Sequence, residues 1–288
     1  VLQTASKPAV QDVWSDLELL HGIHVDVAFR DGDSVERIYE LIQCGSHVNQ
    51  LSSGGFTPLA IATAGGSAQL VSLLLHKKGD AGVASVYRAE LPLHYAACLG
   101  HQVIGRLLAE PTREAGKLDA LTSTGWTALH FAAARGHAGV AREILRVKAS
   151  PNRSNPISGG QTALHVAAAH GHGDVLDLLL DFDGDANATD VLRRTPLHFA
   201  AMSASPECIA PLLRHRADAL RQAGRNNSVP FDLVPAEQIG AAAQRARRML
   251  SAYARPLPTK PRTDARFDLP GGSDVLTQFA FSTNEPHT

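Results

Sequence analysis

An all-α solenoid of stacked helix-turn-helix repeats, joined by hairpin finger loops, is the fold class this sequence predicts. Three observations predict it. The string TALHFAAARGHAGVAREILRVKA, from Thr127 to Ala149, returns at Thr162 as TALHVAAAHGHGDVLDLLL. It returns with drift at Thr57 (TPLAIATAGGS), Leu91 (LPLHYAACLGH) and Thr195 (TPLHFAAMSAS). Successive starts at 57, 91, 127, 162 and 195 lie 34, 36, 35 and 33 residues apart, a period that marks a repeat array.

The residues TPLH or TALH, then Ala-Ala, then Gly-His, then a Leu-rich run, resemble the ankyrin repeat family. The first and last copies are degraded. Ile23 to Asp33 keeps the small Ala28 and the turn Gly32, and Val229-Pro230-Phe231-Asp232 keeps the Pro and an apolar position. The resemblance implies six repeats plus a C-terminal capping half-repeat, with starts near 23, 57, 91, 127, 162, 195 and 229. It divides the chain into a lead-in with capping helix (1–22), the repeat domain (23–254) and a Pro-rich tail (255–288).

In chain order, Ser15-Asp16-Leu17-Glu18 has the layout of a capping box and predicts a short lid helix before Leu19 and Leu20. That helix would cover the apolar face of the first repeat, which has no earlier neighbour. A second helix of repeat one is expected from about Ser34 to Cys44, with Val35, Ile38, Leu41 and Ile42 at helical spacing. In the later copies Thr57, Thr127, Thr162 and Thr195 are N-cap residues, and Pro58, Pro92 and Pro196 bring a helical φ at N1. Paired alanines such as Ala132-Ala133 let neighbouring helices approach closely. Gly66, Gly100, Gly136 and Gly171 suit a left-handed turn between the two helices.

Two irregularities carry expectations. Between Glu110 and Leu121 the linker gains two residues, and Pro111 is expected to end the preceding helix and lengthen the finger beyond it. In the repeat starting at Thr195 the turn glycine is Ala204, and Pro211 falls where helix interior is due. A late-starting or kinked second helix, in the least stable full copy, is the expectation there. Residues 239–253 read as a closing helix with Arg245, Arg247 and Arg248 on its polar side.

Composition narrows function. With 27 basic and 28 acidic residues the net charge is −1, so no chain-wide field would draw nucleic acid or an anionic membrane. Three scattered cysteines suit a reducing compartment. No apolar run approaches the roughly 20 residues of a membrane span, and the N-terminus lacks a signal-peptide layout. Cytoplasm or nucleus is the expected location, and a monomer the expected state. The chain begins without Met, which suits a fragment.

Of 14 histidines, seven occupy repeat slots: His94, His130, His165 and His198 in TPLH, and His101, His137 and His172 after the turn glycine. In ankyrin repeats such histidines hydrogen-bond within the turn and to adjacent loops. His170-Gly171-His172 resembles a ligand pair but lacks a companion cluster at zinc spacing. No nucleophile elbow, phosphate loop or acid/base pair is present, so neither an enzyme nor a cofactor is expected.

The surface where fingers meet first helices is, by the geometry of the family, the expected partner face, concave and centred on Tyr87, Leu99, Trp126, Arg135, His170 and Arg194. Trp, Tyr and Arg are frequent anchors of interface energy; Trp126 could equally pack across its own hairpin. Asn49, Asn152 and Asn187 occupy the finger-loop Asn position that, in this family, an asparaginyl hydroxylase of the hypoxia pathway can modify. A turn Asn bonding its own backbone is the plainer role. Arg255, Pro258 and Pro261 fit the basic-x-x-Pro-x-x-Pro pattern that SH3 domains read, a string that plain linkers also produce. The function expected is a non-enzymatic protein-interaction scaffold or adaptor. Two others stay open: the substrate-receptor subunit of a cullin-type ubiquitin ligase, for which the tail lacks the Leu…Cys elongin-binding helix, and a regulatory fragment of a larger enzyme or channel.

Overall fold

The computed structural model describes residues 48–52, 54–224, 227–235 and 240–254. The expected lid helix, the first repeat's helix and turn, and the tail with Arg255, Pro258 and Pro261 lie outside the described residues.

Helices come in pairs. α1 (Pro58–Ala64) is followed by α2 (Ala68–His76), α3 (Pro92–Leu99) by α4 (Gln102–Glu114) and α5 (Ala128–Arg135) by α6 (Ala138–Arg146). α7 (Ala163–His170) and α8 (Gly173–Asp181), then α9 (Pro196–Met202) and α10 (Pro206–Arg214), continue the series. A 3-10 turn (Pro230–Leu233) and α11 (Ala241–Ala254) follow. First helices pack on first helices and second on second, so two rows run the length of the array, and α11 lies against α10. Among the described residues no strand occurs, only the isolated bridges Asn155–Gln161 and Ala223–Ser228 inside fingers.

Local chemistry explains the pairs. The Thr57 hydroxyl accepts the Ala60 N–H at 3.1 Å, and Ser67 accepts from Leu70 at 3.3 Å. Between helices the chain turns through positive φ at Gly66, Gly100, Gly136 and Gly171. Ala96, Ala97, Ala132, Ala133, Ala167, Ala168, Ala200 and Ala201 are fully buried, the close approach that a larger side chain would block. Leu70, Leu74, Ile104, Leu108, Ile144, Leu176 and Leu179 from the second helices fill one continuous core.

Two expectations are corrected. Pro111 does not end α4, which runs on to Glu114. A proline removes one N–H, and the ladder around it is held otherwise: buried Thr112 donates its hydroxyl to the Leu108 carbonyl at 2.7 Å, and the Ala115 N–H reaches the Pro111 carbonyl at 3.0 Å. Pro111→Ala is therefore expected to raise stability by about 2 kcal/mol, the roughly 3 kcal/mol of an interior proline less its restraint on the unfolded chain. Urea unfolding measures this; an unchanged midpoint would show that the helix carries no such strain.

Nor does α10 start late. Pro206 lies 11 residues after Thr195, as Gly173 lies 11 after Thr162. Ala204 itself takes the left-handed turn at φ 49°, doing what glycine does elsewhere, and Pro206 enters at N1. Pro211 sits buried within the helix.

Candidate functional site

Each finger is a tight turn ahead of a first helix. The Ser52 N–H donates to the Phe56 carbonyl at 2.8 Å, Thr122 to Trp126 at 2.9 Å and Asp190 to Arg194 at 3.0 Å. Neighbouring fingers are joined by main-chain bonds: Val86 N–H to Gly55 O (3.1 Å), Ser123 to Arg88 (2.8 Å), Val191 to Gly159 (2.9 Å) and Gly224 to Leu192 (2.8 Å). Between the third and fourth fingers a side chain does the joining, as the Asn155 amide donates to the Thr124 carbonyl at 3.2 Å. The edge is thus a bonded platform.

The histidines knit the repeats internally. In the TPLH slot Nδ1 accepts a backbone N–H, from Leu91 to His94 (2.9 Å), Thr162 to His165 (3.1 Å) and Thr195 to His198 (3.1 Å), which leaves the proton on Nε2. Nε2 then donates to a carbonyl of the next repeat: Ala120 for His94, Gln161 for His130, Arg194 for His165 and Ser228 for His198. A second row runs the other way, with His137 donating to Cys98 O (3.2 Å) and His172 to Ala134 O (3.1 Å). Burial disfavours the imidazolium and pulls His94 and His130 down to about 4; His165 and His198 are lowered for the same reason. These imidazoles are neutral struts.

Asparagines clamp the loops between repeats. Asn49 donates to Lys78 O (3.2 Å) and accepts from Asp80 N–H (2.7 Å). Asn152 does the same with Asp183 and Asp185, and Asn187 with Arg216 and Asp218. The Asn does not bond its own turn; it bonds the next one.

Along the expected partner face, the six residues have different surroundings. Tyr87 stands out at a fingertip, 75% exposed. Trp126 is half-buried, its ring 5.2 Å from Phe131 and 6.0 Å from His130, so it packs within its own repeat while showing one edge. Leu99 closes α3, half-buried against the core. Arg135, at the end of α5, lies beside Cys98, whose thiol burial pushes up to about 11. The His170 ring stacks on His172 at 6.2 Å and 16°. Arg194 is pinned inward, Nε to Asp190 Oδ2 at 2.7 Å, with its guanidinium 4.5 Å over the Phe199 ring. Asp177, Asp181 and His215 cluster elsewhere, on the second-helix row, where Arg214 is paired to Asp177 at 3.1 Å.

A family profile for ankyrin repeats in three copies matches this chain in overlapping stretches, 25–115, 80–155, 107–190 and 145–223, together spanning most of its length. The chain belongs to the ankyrin repeat family. Among curated ankyrin-type relatives, "Probable E3 ubiquitin-protein ligase XBOS32" of Oryza sativa subsp. japonica is 29% identical over 73% of this chain and 40% of its own length. "Ankyrin repeat domain-containing protein 63" of Homo sapiens is 36% identical over 34% of this chain and 26% of its own. The chain thus spans less than half the length of either. Among solved structures, the human ASB11 ankyrin repeat domain superposes with a TM-score of 0.62 at 22% identity, covering 77% of this chain and 95% of that one. That likeness speaks for the fold alone.

The ankyrin fingers also show what sequence reasoning passed over. Val86, Ile157, Val191 and Leu192 are exposed at fingertips. Their signal was an apolar residue inside a Gly- or Arg-marked turn, as in Pro156-Ile157-Ser158-Gly159. Among the described residues no helix is long and apolar enough to cross a membrane.

Proposed function

We propose that this ankyrin array is a non-enzymatic scaffold or adaptor, holding a partner protein on its concave finger-side surface around Tyr87, Leu99, Trp126, Arg135, His170 and Arg194. The observation that carries the reading is the commitment of the TPLH imidazoles to backbone carbonyls, which leaves the fingers and first-helix ends as the surface on offer. No cofactor is called for, and the protein acts as a monomer in the cytoplasm or nucleus. The repeat domain runs from 23 to 254, and the tail can add an SH3 ligand at Arg255, Pro258 and Pro261. Asn49, Asn152 and Asn187 remain candidates for hydroxylation. Because each amide is bonded to the next loop at both ends, such chemistry requires that loop to open first.

Proximity labelling in cells, wild type against Trp126→Ala/Arg135→Ala, tests the surface. Loss of a defined subset of labelled proteins is expected, with the melting curve checked alongside because Trp126 packs on Phe131. An unchanged set sinks the site. A second reading, substrate receptor of a cullin-type ubiquitin ligase, is favoured by the name of the rice relative. Failure of the full chain to co-purify with elongins and a cullin removes it.

A further inference from the structure

The fingertips form an apolar edge with a cationic border. Val86 is 60% exposed, Tyr87 75%, Ile157 65%, Val191 72% and Leu192 45%. Each group sits over the glycine of the preceding finger: a methyl placed on Gly55 would touch Val86 and Tyr87, one on Gly125 would lie 3.3 Å from the Ile157 Cβ, and one on Gly159 would lie 3.2 Å from Val191. This explains where the side chains lean. It does not cover their outer faces, and contiguous exposed apolar surface of this kind marks binding sites.

Charge on the same edge is one-sided. Arg88, Arg193 and Arg194 are the cations of these fingers; Glu90 and Asp190 are the carboxylates. Both carboxylates are turned inward, each 5% exposed. Glu90 accepts the Tyr95 hydroxyl at 2.6 Å, and Asp190 accepts from Arg194 and from the Leu192 N–H. Arg193 is exposed. The edge therefore shows positive charge and apolar side chains but no outward carboxylate.

We propose that the fingertip edge binds an extended, acidic protein segment carrying apolar side chains. This rests on the scaffold reading above and adds the chemistry of the partner and the place it lies. Neighbouring repeats stack about 10 Å apart, so the three steps from Tyr87 to Val191 cover roughly 30 Å. About ten extended residues at ~3.3 Å span that distance. The segment presents apolar residues at Tyr87, Ile157 and Val191, and a polar one opposite the third finger, where Ser123 and Thr124 are exposed. Its carboxylates face the arginines. Nucleic acid fits less well, because one exposed ring among branched aliphatic side chains is no stacking platform.

The test is fluorescence anisotropy on the full chain with a labelled peptide of about ten residues, Asp-rich with Leu at every third position. Three counterparts accompany it: Lys for Asp, Ser for Leu, and a single-stranded oligonucleotide. The Asp/Leu peptide is expected to bind at least about tenfold more tightly than each of the others. Tyr87→Ser/Val191→Ser is expected to weaken it about tenfold, as loss of an interface anchor does, with melting unchanged because both residues are exposed. Arg193→Glu weakens it and flattens its salt dependence. No binding of the Asp/Leu peptide, equal binding of the Lys peptide or the oligonucleotide, or an unaffected tip variant overturns the proposal. Trp126→Ala/Arg135→Ala should leave peptide binding intact. If that variant loses cellular partners while the tip variant behaves as wild type, the tip assignment fails and the scaffold stands; the converse fails the concave site alone.

Discussion

Acidification from pH 6.5 to 4 is expected to remove several kcal/mol of stability from the array, followed by urea unfolding at fixed pH steps. His94 and His130 are buried with pKa values of about 4, against about 6.5 in an unfolded chain. Between those values the unfolded state binds more protons than the folded one, so stability rises with pH there. The contribution is complete above about 6.5 and is lost as pH falls towards 4. Each histidine is worth on the order of 3 kcal/mol, and His165 and His198 add to the loss in the same direction. Glu90 and Asp119, whose carboxyls burial raises, act in the opposite sense at the acid end and soften the curve. His130→Gln should unfold more easily at pH 7, since Gln cannot serve both Thr127 and the Gln161 carbonyl as the imidazole does. Its stability should also depend less on pH between 4 and 6.5. A flat wild-type profile over that range would mean the imidazoles are not the neutral struts described.

Gly125→Ala is expected to cost about 3–4 kcal/mol, while Gly116→Ala costs about 1. Both glycines are left-handed, at φ 78° and 68°. An alanine there is strained by roughly 1–2 kcal/mol, offset in part by a less flexible unfolded chain. At Gly116 nothing lies within 4 Å of the added methyl. At Gly125 the methyl would come 2.1 Å from the Asn155 Oδ1. Asn155 is buried, and that oxygen accepts from the N–H groups of Ile157 (2.8 Å) and Ser158 (2.9 Å). Displacing it breaks bonds worth about 1 kcal/mol each. Thermal melting of the two variants side by side separates strain from collision, with a drop of roughly 10 °C for Gly125→Ala. Equal costs would mean that Asn155 moves aside freely.

The sequence exposes this fold to the extent that its physics repeats. Thr127 and His130 recur at Thr162 and His165 and again at Thr195 and His198, so one helix start explains three, and the turn glycines follow. Repetition also misleads. Pro111 and Pro211 break the pattern, and a rule for isolated helices ends α4 at Pro111. The neighbouring rows and Thr112 hold that helix through to Glu114. Asn155 is out of step with the repeat, and its link to Thr124 joins residues 31 apart that no local spacing connects. The fingertip residues were missed for a related reason. An apolar residue in a period-bearing chain is read as core, and Val191 or Ile157 shows its exposure only once the finger is built. Trp126 has both faces that the residues allowed, packed on Phe131 yet open at one edge.

The Asn155 link sets that joint apart mechanically. Substitution can hardly delete a peptide N–H, short of proline, so the other four seams between fingers have a compliance nearly independent of side-chain identity. The seam between fingers three and four hangs on one amide. Evolution, or an engineer, can soften the solenoid at its midpoint by changing a single residue without touching the apolar interior.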